Sequence, residues 1–473
     1  MQDRSVGKNF LVQLLGRVGA VLIGMFSIAI LTRSLGAEGF GEYTTAITFL
    51  QLFGVVVDFG LTLTLIVMIS EANANVEKIV GNVFALRMVS GAIMFTIAPI
   101  SILALPWSST IQQGVLVGAL AYVLMGGASL LVGVFQRFQS MWRTAVAEMM
   151  NRVVLLALLA LFAFLHLGVV WMIAASIVAN LVWLILMIRF AKPFVHIRPQ
   201  FDLQIWKEIL SRSWPIAISI FFNLLYLKGD ILFLAYFRNQ TEVGLYGVAY
   251  RIIDVLTALP VMFMGLLLPL AVFHWTNQDK PKFRAQVAKT FDFFMMAIVP
   301  IVIGTQAIGI QLIEFVAGPG YEDSGRILQL LIIAVIGVFL GALFGHLVVA
   351  VNKQKQMIWG YIAVAIVSVI GYYLFIPKYG IWGAVSMTLV SEGLIALVTY
   401  LVVQKEADLK LNPAVTLKAL FSSTVMYLVL ISLPEFHALI DLTIAFVVYA
   451  FMMLATKAIS VDELKRLASK PTV

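Results

Sequence analysis

No cysteine occurs in the 473 residues. That excludes a disulfide framework, a thiolate metal site and thiol chemistry. Charge is scarce as well: Asp, Glu, Lys and Arg make up 12% of the chain against 62% hydrophobic residues, and the mean hydropathy is +1.00. A water-facing surface needs more charge than this, so a soluble globular protein is excluded and an integral membrane protein is expected. Catalytic signatures are missing too. There is no GxxxxGK[ST] phosphate loop, no HExxH, no G-x-S-x-G elbow and no D-x-D pair, and the five histidines (His166, His196, His274, His346 and His437) are scattered. The longest polar stretch, Arg189–Arg212, is too short for a soluble domain. A membrane polymerase or ligase needs a substantial catalytic loop outside the bilayer, and the loops here are short, so no enzyme and no metal centre is expected.

What the chain has in abundance is long apolar runs. Runs of about 20 apolar residues cross a bilayer as helix. About fourteen are expected, over residues 10–32, 41–68, 82–105, 113–135, 146–165, 169–189, 213–236, 243–271, 291–316, 326–350, 357–376, 381–403, 415–433 and 438–456. The opening "MQDRSVGKNF" lacks a small-residue cleavage site, and Arg17 interrupts the run that follows. It reads as a retained first helix rather than a signal peptide. With the N-terminus inside, 25 of the 32 Lys and Arg residues fall in cytoplasmic segments or helix ends, Arg87 among them. Arg33, Arg238, Arg326 and Lys378 fall on the opposite face, and Arg17, Lys228 and Arg251 within spans. That asymmetry puts both termini in the cytoplasm. It also accounts for the net charge of +8 without a nucleic-acid partner.

The chain resembles itself. "EGFGEYTTA" (Glu38–Ala46) lines up with "TEVGLYGVA" (Thr241–Ala249), "FQRFQSM" (Phe135–Met141) with "VNKQKQM" (Val351–Met357), and "LGVVWMIAASIVAN" (Leu167–Asn180) with "YGIWGAVSMTLVSE" (Tyr379–Glu392), at offsets of 203 to 216. A six-helix repeat has both copies entering from one side, so the halves are related by an axis along the membrane normal. The expected plan is all-α: a six-helix bundle over 1–192, a second over 193–405, and helices 13 and 14 in 406–473. Two parallel halves with a substrate path between them near the midplane is a transporter plan.

Charges inside the spans point to the path, because a charged group at a helix centre costs roughly 2.5–3.5 kcal/mol unless it meets water or a partner. The candidates are Arg17, Asp58, Lys228, Asp230, Arg251, Asp254 and Glu392. Tyr246, Tyr250 and Asp254 share one helix face at i, i+4, i+8 with Arg251 three residues before Asp254, and Gln51, Asp58 and Thr62 share another. Each has a structural alternative. Arg17 can snorkel to head groups, Lys228 can reach the interface or pair with Asp230, and Arg251 with Asp254 can be a plain helical pair. Asp230 can be structural, Glu392 can cap or pair locally, and Asp58 can mark a helix irregularity near Gly60. Pro215, Pro260, Pro269 and Pro300 can kink their spans, though proline is common in membrane helices.

"LTRSLGAEGFGEY" (Leu31–Tyr43), "VDFGLTLTLIVMISEANANVEKIVGNVF" (Val57–Phe84) and "YLKGDILFLAYFRNQTEVGLYGVAYRIIDVLTALP" (Tyr226–Pro260) resemble Wzx-type flippases of the polysaccharide transport family. That family is part of the MOP exporter superfamily, with MATE exporters and lipid II flippases. The resemblance implies transfer of an undecaprenyl-diphosphate-linked oligosaccharide, such as an O-antigen unit, to the outer leaflet of a bacterial or archaeal cytoplasmic membrane by alternating access. It implies Arg17, Lys228 and Arg251 as cations for the diphosphate. Asp58, Asp230, Asp254 and Glu392 would balance charge or bind a coupling ion, H+ or Na+, with Gln51, Tyr246 and Tyr250 lining the cavity. No other cofactor is implied. Membrane lipid and other polysaccharide-assembly proteins are the implied partners. The alternative on the same fold is a cation-coupled exporter of drugs or metabolites.

Overall fold

The computed structural model describes residues 2–71, 74–434 and 437–458, and of residues 2–18, 20, 215, 216 and 219 the backbone alone. Every regular element among them is an α-helix. In chain order these are α1 (Gln2–Asp58), α2 (Leu61–Ser70), α3 (Val76–Ile102), α4 (Ser109–Leu130), α5 (Val132–Arg137), α6 (Met141–Phe164), α7 (Val169–Ala191) and α8 (Leu203–Phe237). They continue as α9 (Gln240–Thr276), α10 (Lys280–Ala317), α11 (Glu322–Leu331), α12 (Ala334–Ala350), α13 (Gln354–Tyr379), α14 (Ile381–Ala407), α15 (Ala414–Ser432) and α16 (Ala438–Ala455).

Among the described residues, twelve helices are long and apolar enough to cross a bilayer, or thirteen with α11 and α12, bent by 43° at their break, taken as one span. The count of fourteen expected from the sequence is not confirmed by this tally, and the difference lies near the N-terminus. There Val21–Ser70 forms one candidate stretch of 50 residues. At about 1.5 Å per residue that is roughly 75 Å, more than twice the ~30 Å hydrocarbon layer, so a single straight crossing is excluded. Two backbone breaks interrupt it. Gly36, at φ 65° and ψ −178°, adopts a conformation open to glycine. Phe59 (φ 43°) and Gly60 (φ 71°) then turn left-handed directly after Asp58, which is the irregularity the sequence suggested.

Several helices begin earlier than their apolar runs. Asp202 accepts from the backbone N–H of Gln204 (3.1 Å) and Ile205 (3.4 Å) and starts α8 ten residues ahead of the expected span. Asp279 does the same for α10 through the N–H of Lys282. Hydropathy sees only the part of a helix in the bilayer; the caps set where the helix starts. α9 runs on through Pro260 and Pro269, and α10 through Pro300.

The chain forms two compact units, Met1–Gly247 with Tyr372–Ile381, and Val248–Gly371 with Trp382–Val473. The core of the first gathers Leu61, Leu65, Phe84, Phe135 and Met187, with Val195 from the segment after α7 and Ile209 from α8. In the second, Ile308 of α10 packs with Met426 and Leu430 of α15 and Ala445 of α16. Large apolar side chains such as Phe26, Phe164, Trp359 and Phe446 stay exposed, as suits helices solvated by lipid rather than water.

Lipid is as apolar as a leucine side chain, so membrane helices associate chiefly by close packing of small residues. One such contact in the first unit joins the two segments that line up best in the repeat. A Cβ on Gly41 would overlap the carbonyl oxygen of Gln240, and a Cβ on Gly244 would overlap that of Ala37. A Cβ on Gly247 would lie 3.1 Å from Thr44 Oγ1. The pairs are reciprocal, because Ala37, Gly41 and Thr44 are 203 positions from Gln240, Gly244 and Gly247. Thr45 Oγ1–H donates to Gln240 Oε1 beside this crossing (2.8 Å). The other two matched segments also fall at corresponding places: Phe135–Met141 and Val351–Met357 each contain the turn leading into α6 or α13, and Gly168 and Gly380 precede α7 and α14.

Candidate functional site

The site is built where α1, α3 and α4 meet inside the first unit. α3 starts from its cap Asn75, whose Oδ1 accepts from Lys78 N–H. Arg87 lies eleven residues after Val76, about 17 Å along the helix axis. Its side chain is 6% exposed. Nη1 is 3.0 Å from Oδ1 of Asp58, the last residue of α1, whose side chain is 27% exposed. Thr62 Oγ1–H donates to the same Asp58 oxygen at 3.0 Å. Gly126 of α4 leaves room for the guanidinium: a Cβ there would sit 3.0 Å from Arg87 Nε.

The pair is close but poorly aligned. By distance it is an ion pair, yet the buried Nε and Nη1 of Arg87 make no hydrogen bond of acceptable angle within the described protein. The distance establishes electrostatic attraction; the angles show that donor capacity is left over. A cavity of about 300 Å³ opens beside the pair, lined by Gln51, Gly54, Asp58, Arg87, Phe95 and Tyr122 among others. That is roughly ten times the volume of a water in the liquid. Chemically the site is a buried cation with one counter-charge beside a mostly apolar cavity wall.

Of the residues picked from the sequence, Gln51 and Asp58 line this cavity. The side chain of Arg17 lies outside those described. Asp230 is fully buried in α8; its Oδ2 accepts from Tyr246 O–H (2.5 Å) and its Oδ1 from the N–H of Ile231 (2.8 Å). Lys228 is half-buried two residues earlier on the same helix. Tyr372 O–H donates to Tyr226 O (2.6 Å), and its ring lies against Gly229. The structure therefore brings Asp230 and Tyr246 together in a buried network. Tyr246→Phe is expected to lower stability by about 1–3 kcal/mol, since it strips a hydrogen bond from a buried carboxylate. Thermal unfolding in detergent checks this, and an unchanged transition would show that the bond carries no weight.

In the second unit Tyr250 is buried and Arg251 Nη1 is 3.9 Å from Asp254 Oδ2, both partly exposed. Glu392 is buried in α14, with α12 packed close at Gly337. Arg87 was missed because an apolar window placed it near a cytoplasmic helix end. The signal that could have found it is the cap: starting α3 at Asn75–Val76 puts Arg87 inside the helix, eleven residues past Val76, rather than at its end.

The model of the polysaccharide biosynthesis protein family matches residues 6–272, more than half of the chain. The chain belongs to the polysaccharide biosynthesis protein family. No curated protein matches it. Solved structures share this family member's fold at low identity. The lipid II flippase MurJ in an inward closed conformation has a TM-score of 0.75 and 12% identity, covering 94% of this chain and 97% of that one. An inward-facing multidrug resistance MATE transporter of the MOP superfamily has a TM-score of 0.63 and 13% identity, with 84% and 98% covered. A MOP superfamily transporter from Pyrococcus furiosus has a TM-score of 0.60 and 12% identity, with 85% and 95% covered. The polysaccharide biosynthesis protein described here is thus a multi-pass membrane protein with the MOP transporter fold.

Proposed function

We propose that the protein is a flippase that carries an undecaprenyl-diphosphate-linked oligosaccharide from the inner to the outer leaflet of a bacterial or archaeal cytoplasmic membrane. Both termini would be cytoplasmic. The observation that carries this reading is the family match over residues 6–272, a segment that contains every residue of the charged cavity. Sugar and diphosphate cannot cross hydrocarbon unaided, whereas a polyprenyl tail can remain in lipid. A cation held at membrane depth beside a cavity supplies what the head group lacks there.

The two six-helix halves, 1–192 and 193–405, would rock about the path to expose it to each side in turn. Arg17, Lys228 and Arg251 would attract the head group along it, with a proton or sodium ion taken up at Asp58, Asp254 or Glu392 to drive the cycle. The hydrogen bonds to Asp230 favour a positioning role for that carboxylate.

The test is reconstitution of the purified protein in vesicles carrying a lipid-linked oligosaccharide in the inner leaflet. The expected result is transfer to the outer leaflet well above protein-free vesicles, faster with an imposed ion gradient. No transfer, together with ion-driven movement of cationic dyes, would replace this reading with that of a drug exporter.

A further inference from the structure

Arg87 is better buried than it is satisfied. A guanidinium offers five N–H donors in a planar fork, and here Nε and Nη1 are buried and find no aligned acceptor in the described protein, while the residue borders the cavity. Asp58 supplies charge but meets the guanidinium off the line of its N–H bonds. Asp58 is also the more exposed partner and has a second donor in Thr62. It can leave Arg87 without becoming a bare buried carboxylate. Two oxygens of one phosphoryl group match the guanidinium fork in a way this carboxylate placement does not.

We infer that Arg87 is the receiving cation for a phosphate or diphosphate group entering the 300 Å³ cavity, and that Asp58 is the resident anion which the ligand displaces. The assignment of a lipid-linked source rests on the flippase reading; the anion site rests on geometry alone. The cavity has room for a diphosphate with part of its hydration. Displacement also acts on the backbone. Asp58 is the last residue before the left-handed pair Phe59–Gly60, where the arm Leu61–Ser70 begins. Freeing its side chain releases the clamp between that joint and α3.

The experiment is calorimetric titration of the protein in zwitterionic lipid nanodiscs with inorganic diphosphate and with farnesyl diphosphate. Asp58→Asn removes the competing charge but keeps an acceptor for Thr62. It is expected to tighten diphosphate binding about tenfold or more, the worth of a charge-assisted hydrogen bond. Adding Arg87→Gln gives a neutral pair that avoids a stranded charge, and is expected to abolish that gain. Arg87→Lys keeps the ion pair and the fold but loses the fork, and is expected to bind several-fold more weakly than the unaltered protein. Affinity unchanged in Asp58→Asn and in Arg87→Lys, or equal in the double variant and Asp58→Asn, overturns the inference. Tighter Arg87-dependent binding of farnesyl than of inorganic diphosphate supports a lipid-borne ligand, and equal binding supports a free anion at the same site. Vesicle transfer that persists without Arg87-dependent binding removes this site and leaves the flippase reading; Arg87-dependent binding without transfer does the reverse.

Discussion

Asp58→Ala is expected to lower the unfolding temperature of the protein more than Arg87→Ala does. The two variants break the same 3.0 Å pair, but they strand different charges. Without Asp58, the guanidinium of Arg87 stays 6% exposed with no counter-ion beside it, and such uncompensated burial costs about 3–5 kcal/mol. Without Arg87, Asp58 keeps Thr62 as a donor and is 27% exposed to the cavity, so about 1–3 kcal/mol is expected. Replacing both with apolar residues of similar size, Asp58→Leu with Arg87→Met, should recover most of the loss, because a buried ion pair as a whole adds little net stability. Thermal unfolding in detergent or nanodiscs reads all three. Equal losses in the single variants and no recovery in the double one would show that the pair is not the coupled unit the distances suggest.

The second large effect belongs to the helix crossing at Gly41. Gly41→Val is expected to destabilise the first unit strongly, and so is Gly244→Val. Overpacking ordinarily costs about 1–3 kcal/mol even when side chains can yield. Here the obstacle is a backbone carbonyl, of Gln240 in one case and Ala37 in the other, so the helices themselves must separate. Alanine at either position should give a smaller loss of the same sign. Because both glycines serve one contact, the two alanine variants should combine non-additively. Unfolding curves for the two single variants and the double variant decide this. Strict additivity, or no loss at all, would place the two segments further apart than described.

Much of this architecture is readable from residues. Apolar runs mark the spans because a bilayer demands about 20 such residues at a time. "DFGL" announced the break after Asp58, since a left-handed residue is most easily glycine. Tyr246 and Asp230 each stand out as polar groups in apolar runs, but nothing local says that they bond to one another between α9 and α8. Other features were not legible. Gly36 sits in a polar stretch that looked like an ordinary loop, and nothing local says that helix continues on both sides of it. Arg87 looks like any basic residue near the mouth of an apolar run. Its role depends on Asp58 and Gly126, 29 and 39 positions away, and hydropathy carries no information about which helices touch. Asp230 illustrates the same limit. The sequence shows that its charge is expensive, while only the packing shows that a tyrosine hydroxyl and a backbone N–H hold it.

The crossing of residues 37–44 with 240–247 has a consequence for the origin of the chain. Each segment presents to the other the position that the other presents to it, which is the defining property of an isologous contact. A peptide carrying Ala37, Gly41 and Thr44 would therefore be complementary to a second copy of itself. An ancestral half-length chain could have paired at this place as a symmetric homodimer before fusion. Since then, a bulky substitution in one copy would have met the unchanged backbone of its sister segment.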